Sequence, residues 1–288
     1  MNQMYLDLND GRKIPAVGLG CFKAGQESCV KAVETAISVG YRHFDTANHY
    51  ENEEYVGRGI RNSGVDRSEV FVVSKIWPSS FSDPVKVIEF SLKALNVEYI
   101  DAYLIHWPGR DPDARYRVWE TLMKYKDMGY IKGVGVSNFQ KKHLIDLKEK
   151  FGVDPCMNEI ELSPWLQKQE DYDYCQQNGI VMSASVPFAK GNVLTDPVIL
   201  DIAAAHGKNA GQVVIRWNLQ RGNCVIPKSS NPVRIESNFQ VFDFELTQED
   251  MNRIAKLDYG RAFGSDPTLF NGGYWRFEDA YPDYVPEK

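Results

Sequence analysis

The sequence lacks any CxxC pair, and its cysteines are few and scattered. Cys21, Cys29, Cys156, Cys175 and Cys224 are odd in number and widely separated. This spacing is typical of free thiols in a reducing compartment, and it excludes a disulfide framework or a zinc site built on paired cysteines. We therefore expect a cytoplasmic protein without a metal site.

Long apolar runs and blocks of one charge are also missing. No stretch of the sequence is apolar for long enough to act as a signal sequence or to span a membrane. The net charge is −6, with 33 Lys and Arg against 39 Asp and Glu. A negative field disfavours nucleic acid and anionic membrane surfaces, so we expect neither as a partner.

The sequence does contain a regular alternation of strand-like and helix-like segments. Four strand-like runs end at or beside a polar group, and these groups are Asp45, Lys75, His106 and Ser137. They follow one another at intervals of 30, 31 and 31 positions. A βαβ unit occupies about 30 residues, so the spacing predicts parallel strands whose carboxyl ends carry the polar groups.

Eight such strands alternate with helices along the 288 residues. This count predicts an α/β fold, a single-domain (β/α)8 TIM barrel that spans residues 1–288. Residues 1–14 contain a turn between two short strand-like runs and are predicted to form an N-terminal hairpin. After His106 we expect a long loop and then a helix over residues 118–126.

The helical and strand periodicity stops at residue 258. Residues 258–288 form a tail that is rich in glycine, proline and aromatic residues. One interpretation is a wrap that covers the flank of the barrel. The other is a loop that folds over the mouth and supplies aromatic walls to a ligand pocket, and both stay open at this point.

Asp45, Tyr50, Lys75 and His106 would share the mouth of that barrel, where the active sites of this fold lie. A tyrosine is a weak acid with a reference pKa of about 10. A lysine ammonium beside its hydroxyl stabilises phenolate, and a carboxylate beyond the lysine keeps the ammonium charged. A histidine can orient a carbonyl oxygen or share in proton delivery. The set predicts a proton donor for carbonyl reduction, with the hydride brought by a cofactor.

Each of these residues also has a simpler interpretation. Asp45 and Lys75 could form a structural ion pair, and His106 could be a packed core residue. A different class of function also stays open, namely a metal-dependent hydrolase that uses His43, Asp45, His49 and His106. His43 and Asp45 lie two positions apart on a strand, so their side chains share a face and could bind one metal ion. It is the joint placement of all four polar groups at strand ends that favours a reductase.

Six short motifs, FDTANHYENE, VVSKIW, LIHWP, GVSNF, NEIELSP and VIPKS, occur in this order. Together they resemble the aldo-keto reductases from residue 13 to about residue 257. The resemblance implies a monomeric barrel that uses NADPH to reduce aldehydes or ketones. It implies the catalytic set Asp45, Tyr50, Lys75 and His106, with Tyr50 as the general acid.

The resemblance also implies a set of cofactor contacts. Ser137 and Asn138 match the pair that holds the nicotinamide carboxamide, and Asn238 matches the adenine contact. Lys228, Ser229 and Arg234 match the cluster that binds the 2′-phosphate. Two cations so close in sequence suggest a phosphate site independently, although a solvated helix start would also explain them. The other positions expected to contact the cofactor are Gly20, Cys21, Phe22, Glu159, Ser185, Val186, Phe188 and Ser230.

Three positions at the nicotinamide end depart from the family pattern. Glu159 stands where the family has glutamine, Ser185 stands where it has a tyrosine stacked on the ring, and Val186 replaces a hydroxyl residue. Losing one ring stack should cost about 0.5–1.5 kcal/mol of cofactor binding. These departures keep a second function open, namely a barrel that binds the dinucleotide as a sensor or subunit with little turnover.

Glu159 supports a hypothesis of its own. An ionised carboxylate beside the ring would favour the cationic NADP⁺ over neutral NADPH through Coulomb attraction. The alternative is that Glu159 is protonated, or neutralised by a nearby base, and mimics glutamine.

The resemblance places a group of aromatic residues around the substrate, and they describe an apolar cavity. Trp77 and Trp107 could instead simply pack the rim of the barrel. The expected substrate contacts are Phe22, His49, Trp77, Trp107 and Trp165.

Overall fold

A computed structural model describes residues 3–286 of the chain, and the outermost two residues of the predicted hairpin and tail segments lie outside these bounds. The predicted hairpin forms from β1 (Tyr5–Asp7) and β2 (Lys13–Pro15), which pair antiparallel. Eight further strands form one parallel sheet in chain order. They are β3 (Leu19–Gly20), β4 (His43–Asp45), β5 (Phe71–Ile76), β6 (Ala102–Ile105), β7 (Val134–Ser137), β8 (Met157–Glu161), β9 (Val181–Ser185) and β10 (Cys224–Val225).

Bridges between the first and last strands close this sheet into a barrel. Val17 pairs with Val225, and Gly20 pairs with Lys228, both in parallel. The Gly18 amide donates to the Val225 carbonyl at 2.9 Å across the same seam. The predicted barrel is therefore confirmed, although its first and last strands are shorter than the sequence pattern suggested.

Alternation along the strands decides which side chains face the barrel interior. On β5, Phe71 and Val73 belong to the interior cluster, whereas Val72 and Ile76 pack outward against the helices. Because side chains alternate with period two, Lys75 continues the inward row above Val73. The same rule places His106 above Leu104 on the neighbouring strand. The apolar interior thus ends in a polar layer at the carboxyl ends of the strands.

The helices cover the outside of the sheet, and four of them begin at an Asp-Pro or Asn-Pro pair whose acid or amide caps the helix. Proline at the first helical position fits because its missing N–H has no intrahelical partner there. The α-helices of the described residues are α1 (Gln26–Val39), α2 (Glu53–Asn62), α3 (Pro84–Leu95), α4 (Pro112–Asp127), α5 (Lys141–Phe151), α6 (Gln169–Gln177), α7 (Pro197–Ala205), α8 (Ala210–Gln220), α9 (Pro232–Phe239), α10 (Gln248–Ala255) and α11 (Phe277–Ala280).

The helix α4 starts earlier than the sequence pattern predicted. We expected a loop up to residue 117, but Asp111 accepts from the Asp113 amide and the helix begins at Pro112. Arg115, which falls within the expected loop, is buried and donates to the Pro108 carbonyl at 2.9 Å. The prediction failed because the charged residues of the first turn hid the capping signal.

Gly57 lets α2 pack directly against the end of α3. A Cβ at this position would lie 2.0 Å from the Leu95 carbonyl oxygen, which is closer than real contacts allow. The glycine therefore serves helix packing. None of the helices in the described part of the chain is both long and apolar enough to cross a membrane.

Candidate active site

Lys75 and Asp45 form a buried ion pair at the centre of the polar layer. The Lys75 Nζ lies 2.6 Å and 2.7 Å from the two Asp45 carboxylate oxygens and also donates to the Thr46 carbonyl at 3.0 Å. The side chains are 0% and 3% exposed. Burial lowers the pKa of the Lys75 ammonium, but the opposing contributions, of which the charge of Asp45 is the largest, raise that pKa overall. Lys75 is therefore a fixed cation.

A short 3₁₀ turn, Asn48–Tyr50, presents Tyr50 to this pair. Asn52 holds the turn in place, because it accepts from the Thr46 hydroxyl at 2.6 Å and donates to the Cys21 carbonyl at 2.8 Å. The sequence analysis missed Asn52, although it closes the polar run that follows β4. These contacts fix the backbone on both sides of Tyr50.

Tyr50 has both the histidine and the lysine as neighbours. Its hydroxyl is 3.4 Å from His106 Nε2, and the Lys75 ammonium is 5.2 Å from the centre of the tyrosine ring. Burial raises the pKa of Tyr50, and Lys75 makes the largest opposing contribution. The effect of Lys75 has the predicted sign but is smaller than that of burial. Burial also keeps the pKa of His106 well below its usual value, so the imidazole is neutral.

A second carboxyl group, that of Glu159, contacts the Lys75 ammonium group. Glu159 lies on β8 with its Oε2 3.1 Å from Lys75 Nζ, and its side chain is 5% exposed. Burial and the charge of Asp45 raise the pKa of Glu159 well above its usual value. This direction favours the protonated alternative that the sequence left open.

The residues predicted at the nicotinamide end surround this group. Ser137 pairs in register with Glu159, and Asn138 donates through Nδ2 to the His106 carbonyl at 2.9 Å. Asn138 and Val186 adopt positive φ angles of 60° and 50°. Such a conformation is a genuine outlier for a β-branched residue, and backbone strain of this kind concentrates at ligand sites. Ser185 ends β9 immediately before Val186.

The residues predicted at the phosphate end also lie together. Lys228 and Arg234 are both exposed, and Lys228 Nζ donates to the Ser230 hydroxyl at 3.2 Å. Ser229 lies between them in the loop that leads to the Asn231 cap of α9. Two cations, two hydroxyl groups and a helix start make a donor set that fits a phosphate group.

The remaining residues predicted to contact the cofactor are Asn238 and Phe188, which lie near Gly211, and Gly20 and Cys21, which lie near the catalytic group. A Cβ at Gly211 would lie 3.6 Å from Asn238 Oδ1 and 3.7 Å from the Phe188 ring, so these two predicted residues border the same space. Gly20 bridges to the backbone of Lys228, and the Cys21 amide donates to the Asp45 carbonyl at 2.9 Å. The residues predicted to contact the cofactor therefore extend from the polar layer at the strand ends to the residues predicted to bind its phosphate.

Aromatic side chains line the mouth above Tyr50. His49 stacks on Trp77 with ring centroids 3.7 Å apart, and Phe22 lies 5.0 Å from the Tyr50 ring. Trp107 packs against Phe270 of the tail at 4.3 Å. The predicted substrate residue Trp165 has other neighbours, since its Nε1 donates to Asp196 at 2.9 Å and its backbone accepts from Tyr259 and Arg261.

One part of the tail lies across the mouth and another part covers the flank, so each interpretation that the sequence left open describes the position of one part. Trp77 Nε1 donates to the Gly272 carbonyl at 2.7 Å, and Trp275 Nε1 donates to Glu51 at 2.9 Å, so this part lies across the mouth. Farther along, Phe277 is buried and Tyr281 packs on Phe90 of α3 with ring centroids 4.0 Å apart. That part covers the flank.

Glu161 anchors the start of the tail, and the sequence analysis did not single it out. Its two oxygens accept from the Phe263 and Gly264 amides at 2.7 Å and 2.8 Å. Lys190 Nζ donates to the Phe263 carbonyl at 2.9 Å. The sequence did contain a signal for Glu161, because it lies two residues after Glu159 and therefore on the same face of β8.

Several buried polar atoms at the mouth have no hydrogen-bond partner within residues 3–286. They include His49 Nδ1, His106 Nδ1, Trp107 Nε1 and Ser183 Oγ. Buried polar groups are nearly always paired, so these atoms are available to bind a ligand or ordered water. In the same part of the chain, His, Cys, Asp and Glu side chains form no cluster of three or more that could hold a metal ion. The arrangement that the hydrolase alternative requires is therefore not formed there.

Comparisons with known proteins agree with this geometry. The sequence model of the Aldo/keto reductase family matches residues 16–259. An aldo-keto reductase of Mycolicibacterium smegmatis is 46% identical over 268 residues, which cover 92% of this chain and 98% of that protein. Methylglyoxal reductase DkgA of Escherichia coli O157:H7 is 41% identical over 273 residues, which cover 94% of this chain and 99% of that protein.

Solved structures show the same architecture. An aldo/keto reductase from Brucella melitensis superposes with a TM-score of 0.86 at 40% identity and covers 89% of this chain and 100% of its own. A mutant of Gox0644 in complex with NADPH gives a TM-score of 0.88 at 36% identity, covering 94% of this chain and 99% of its own. The chain belongs to the aldo/keto reductase family.

Proposed function

We propose that this protein reduces the carbonyl group of aldehydes or ketones with NADPH, and that Tyr50 is the general acid. The observation that carries the proposal is the buried set at the mouth, in which the Tyr50 hydroxyl lies 3.4 Å from His106 and beside the Lys75–Asp45 pair. A proton donor held next to a fixed cation suits a reaction in which an oxygen gains negative charge.

Each residue of the set has a separate task. Bound NADPH would supply the hydride for the carbonyl carbon. Tyr50 donates its proton to the carbonyl oxygen, and the Lys75 ammonium stabilises the phenolate that forms. Asp45 keeps Lys75 charged and aimed through two hydrogen bonds. Neutral His106 offers Nε2 beside the Tyr50 hydroxyl and can orient the substrate oxygen.

The cofactor would lie along the predicted contacts. Ser137 and Asn138 would hold the carboxamide, and the exposed cations Lys228 and Arg234 would bind the 2′-phosphate, which favours NADPH over NADH. The complex of a Gox0644 mutant with NADPH supports this choice. An Arg234→Ala variant should lose affinity for NADPH and keep its affinity for NADH.

Small aldehydes are the substrates that we propose first. The mouth is lined by aromatic rings, and the tail narrows it through the contacts of Trp77 with Gly272 and of Trp275 with Glu51. The similarity to methylglyoxal reductases at 41% identity supports α-oxoaldehydes within this class.

Steady-state oxidation of NADPH with a panel of simple aldehydes tests the proposal. Tyr50→Phe removes only the hydroxyl and should lower kcat by several orders of magnitude, while NADPH binding measured by tryptophan fluorescence stays unchanged. A Tyr50→Phe variant that reduces aldehydes at close to the rate of the unmodified protein would overturn the proposed role.

We also propose a monomer in the cytoplasm. The five cysteines are all buried and unpaired, which suits a reducing compartment. A molecular mass near 32.8 kDa in solution is the expected result for a monomer, and a mass twice as large would contradict it.

A further inference from the structure

Two carboxyl groups share one ammonium group in the buried layer. Lys75 Nζ lies 2.6 Å from Asp45 and 3.1 Å from Glu159, and the three side chains are between 0% and 5% exposed. If both carboxyl groups were ionised, the cluster would carry a net charge of −1 without solvent. Burying an uncompensated charge is costly, so one proton should stay on the cluster.

The neighbouring groups supply no second positive charge. His43 lies near Asp45, and burial lowers its pKa to about 4, so it is neutral. His106 is neutral for the same reason, and the pKa values of Tyr50 and Cys21 are raised, so both are neutral acids. The balance of charge in this layer is therefore decided by one titrating carboxyl group.

Glu159 is the group that holds this proton. Asp45 receives two hydrogen bonds from Lys75 and lies closer to it, whereas Glu159 makes the longer contact. Burial is the main cause of the raised pKa of Glu159, and the neighbouring charge of Asp45 adds to it. The proton that keeps this layer neutral is therefore assigned to Glu159, beside the Lys75–Asp45 ion pair.

We propose that Glu159 is a protonation switch that sets the preference of this site between NADP⁺ and NADPH. This inference rests on the proposed NADP(H) site and deepens it. Glu159 pairs in register with Ser137, and its carbonyl accepts from the Asn138 amide at 2.7 Å, so it lies beside the expected carboxamide contacts. Neutral Glu159 treats both redox forms alike.

The direction of the effect follows from the charge. As the pH rises and Glu159 loses its proton, the layer gains a negative charge that attracts the cationic ring of NADP⁺ and does nothing for neutral NADPH. The ratio of the dissociation constant of NADPH to that of NADP⁺ therefore increases with pH. Titration of the 2′-phosphate affects both forms equally and cancels in this ratio.

The test titrates NADP⁺ and NADPH separately into the full-length protein and follows tryptophan fluorescence between about pH 6 and about pH 9.5. In the unmodified protein the ratio should rise on the order of tenfold, as expected for one partly screened charge contact. In Glu159→Gln the ratio should stay constant. The control is Glu53→Gln, which removes another buried carboxyl with a pKa of about 7 and should keep the rise.

The outcomes are distinct. A ratio that is independent of pH in the unmodified protein overturns the inference while leaving the proposed function intact, and this measurement needs no variant. A rise that persists in Glu159→Gln assigns the titration to another group and also overturns it. Failure to bind either form at any pH contradicts the proposed function, and the switch with it.

Discussion

Removing the Glu161 carboxylate should release the start of the tail from the barrel. In Glu161→Ala the Phe263 and Gly264 amides lose their acceptor, and hydrogen bonds to a charged group contribute about 1.5–3 kcal/mol each. Gly264 is exposed and can bind water instead, and Lys190 still holds the Phe263 carbonyl at 2.9 Å. We therefore expect a net loss of roughly 3 kcal/mol, or about 100-fold in the opening equilibrium of the tail.

Hydrogen–deuterium exchange followed by mass spectrometry measures this opening. Peptides from residues 263–275 should exchange about 100-fold faster in Glu161→Ala, whereas peptides from the barrel strands should not change. The matched control is Glu278→Gln in the same tail, whose ion pair with Lys86 is exposed and contributes little. Tail exchange in Glu161→Ala that equals exchange in the control would refute the anchoring role.

Three further predictions concern stability. Lys75→Met leaves Asp45 buried without its partner and should lower the free energy of unfolding by about 3–5 kcal/mol, measured with urea. Burial raises the pKa of Glu53 from 4.5 to about 7. A raised carboxyl pKa means that stability falls as the pH rises from about 4.5 to about 7, by up to roughly 3 kcal/mol. Glu53→Gln should remove this fall, and an unchanged pH profile of the melting temperature would contradict it. Gly57→Ala forces a Cβ against the Leu95 carbonyl and should cost at least about 1–3 kcal/mol in the same urea assay.

The polar layer was predictable because strand periodicity and βα spacing are local properties of the sequence. Asp45, Lys75 and His106 each end a strand-like run, and parallel strands bring such ends to one edge. The Asp-Pro start of α4 was equally local, but the charged residues after Pro112 obscured it. The short first and last strands reflect the seam of the barrel, where pairing depends on closure and not on local sequence.

The tail contacts could not be predicted in the same way. Glu161 and Phe263 are separated by 102 positions, and Trp77 and Gly272 by 195. The tail has no periodicity from which the side chains that face the barrel could be predicted. Only its aromatic composition suggested that it faces a ligand. The protonation of Glu159 also depends on three-dimensional contacts, because Asp45 and Glu159 both contact the same Lys75 ammonium group.

Glu159 and Tyr50 are linked through the charge of Lys75. Burial raises the pKa of Tyr50, so the phenol keeps its proton until the substrate oxygen gains charge, and Lys75 then stabilises the phenolate. An ionised Glu159 would offset part of the Lys75 charge and weaken this stabilisation. Reduction should therefore slow as Glu159 loses its proton. In Glu159→Gln the fall in kcat/KM should move to higher pH, and identical pH profiles for the two proteins would show that the two groups act independently.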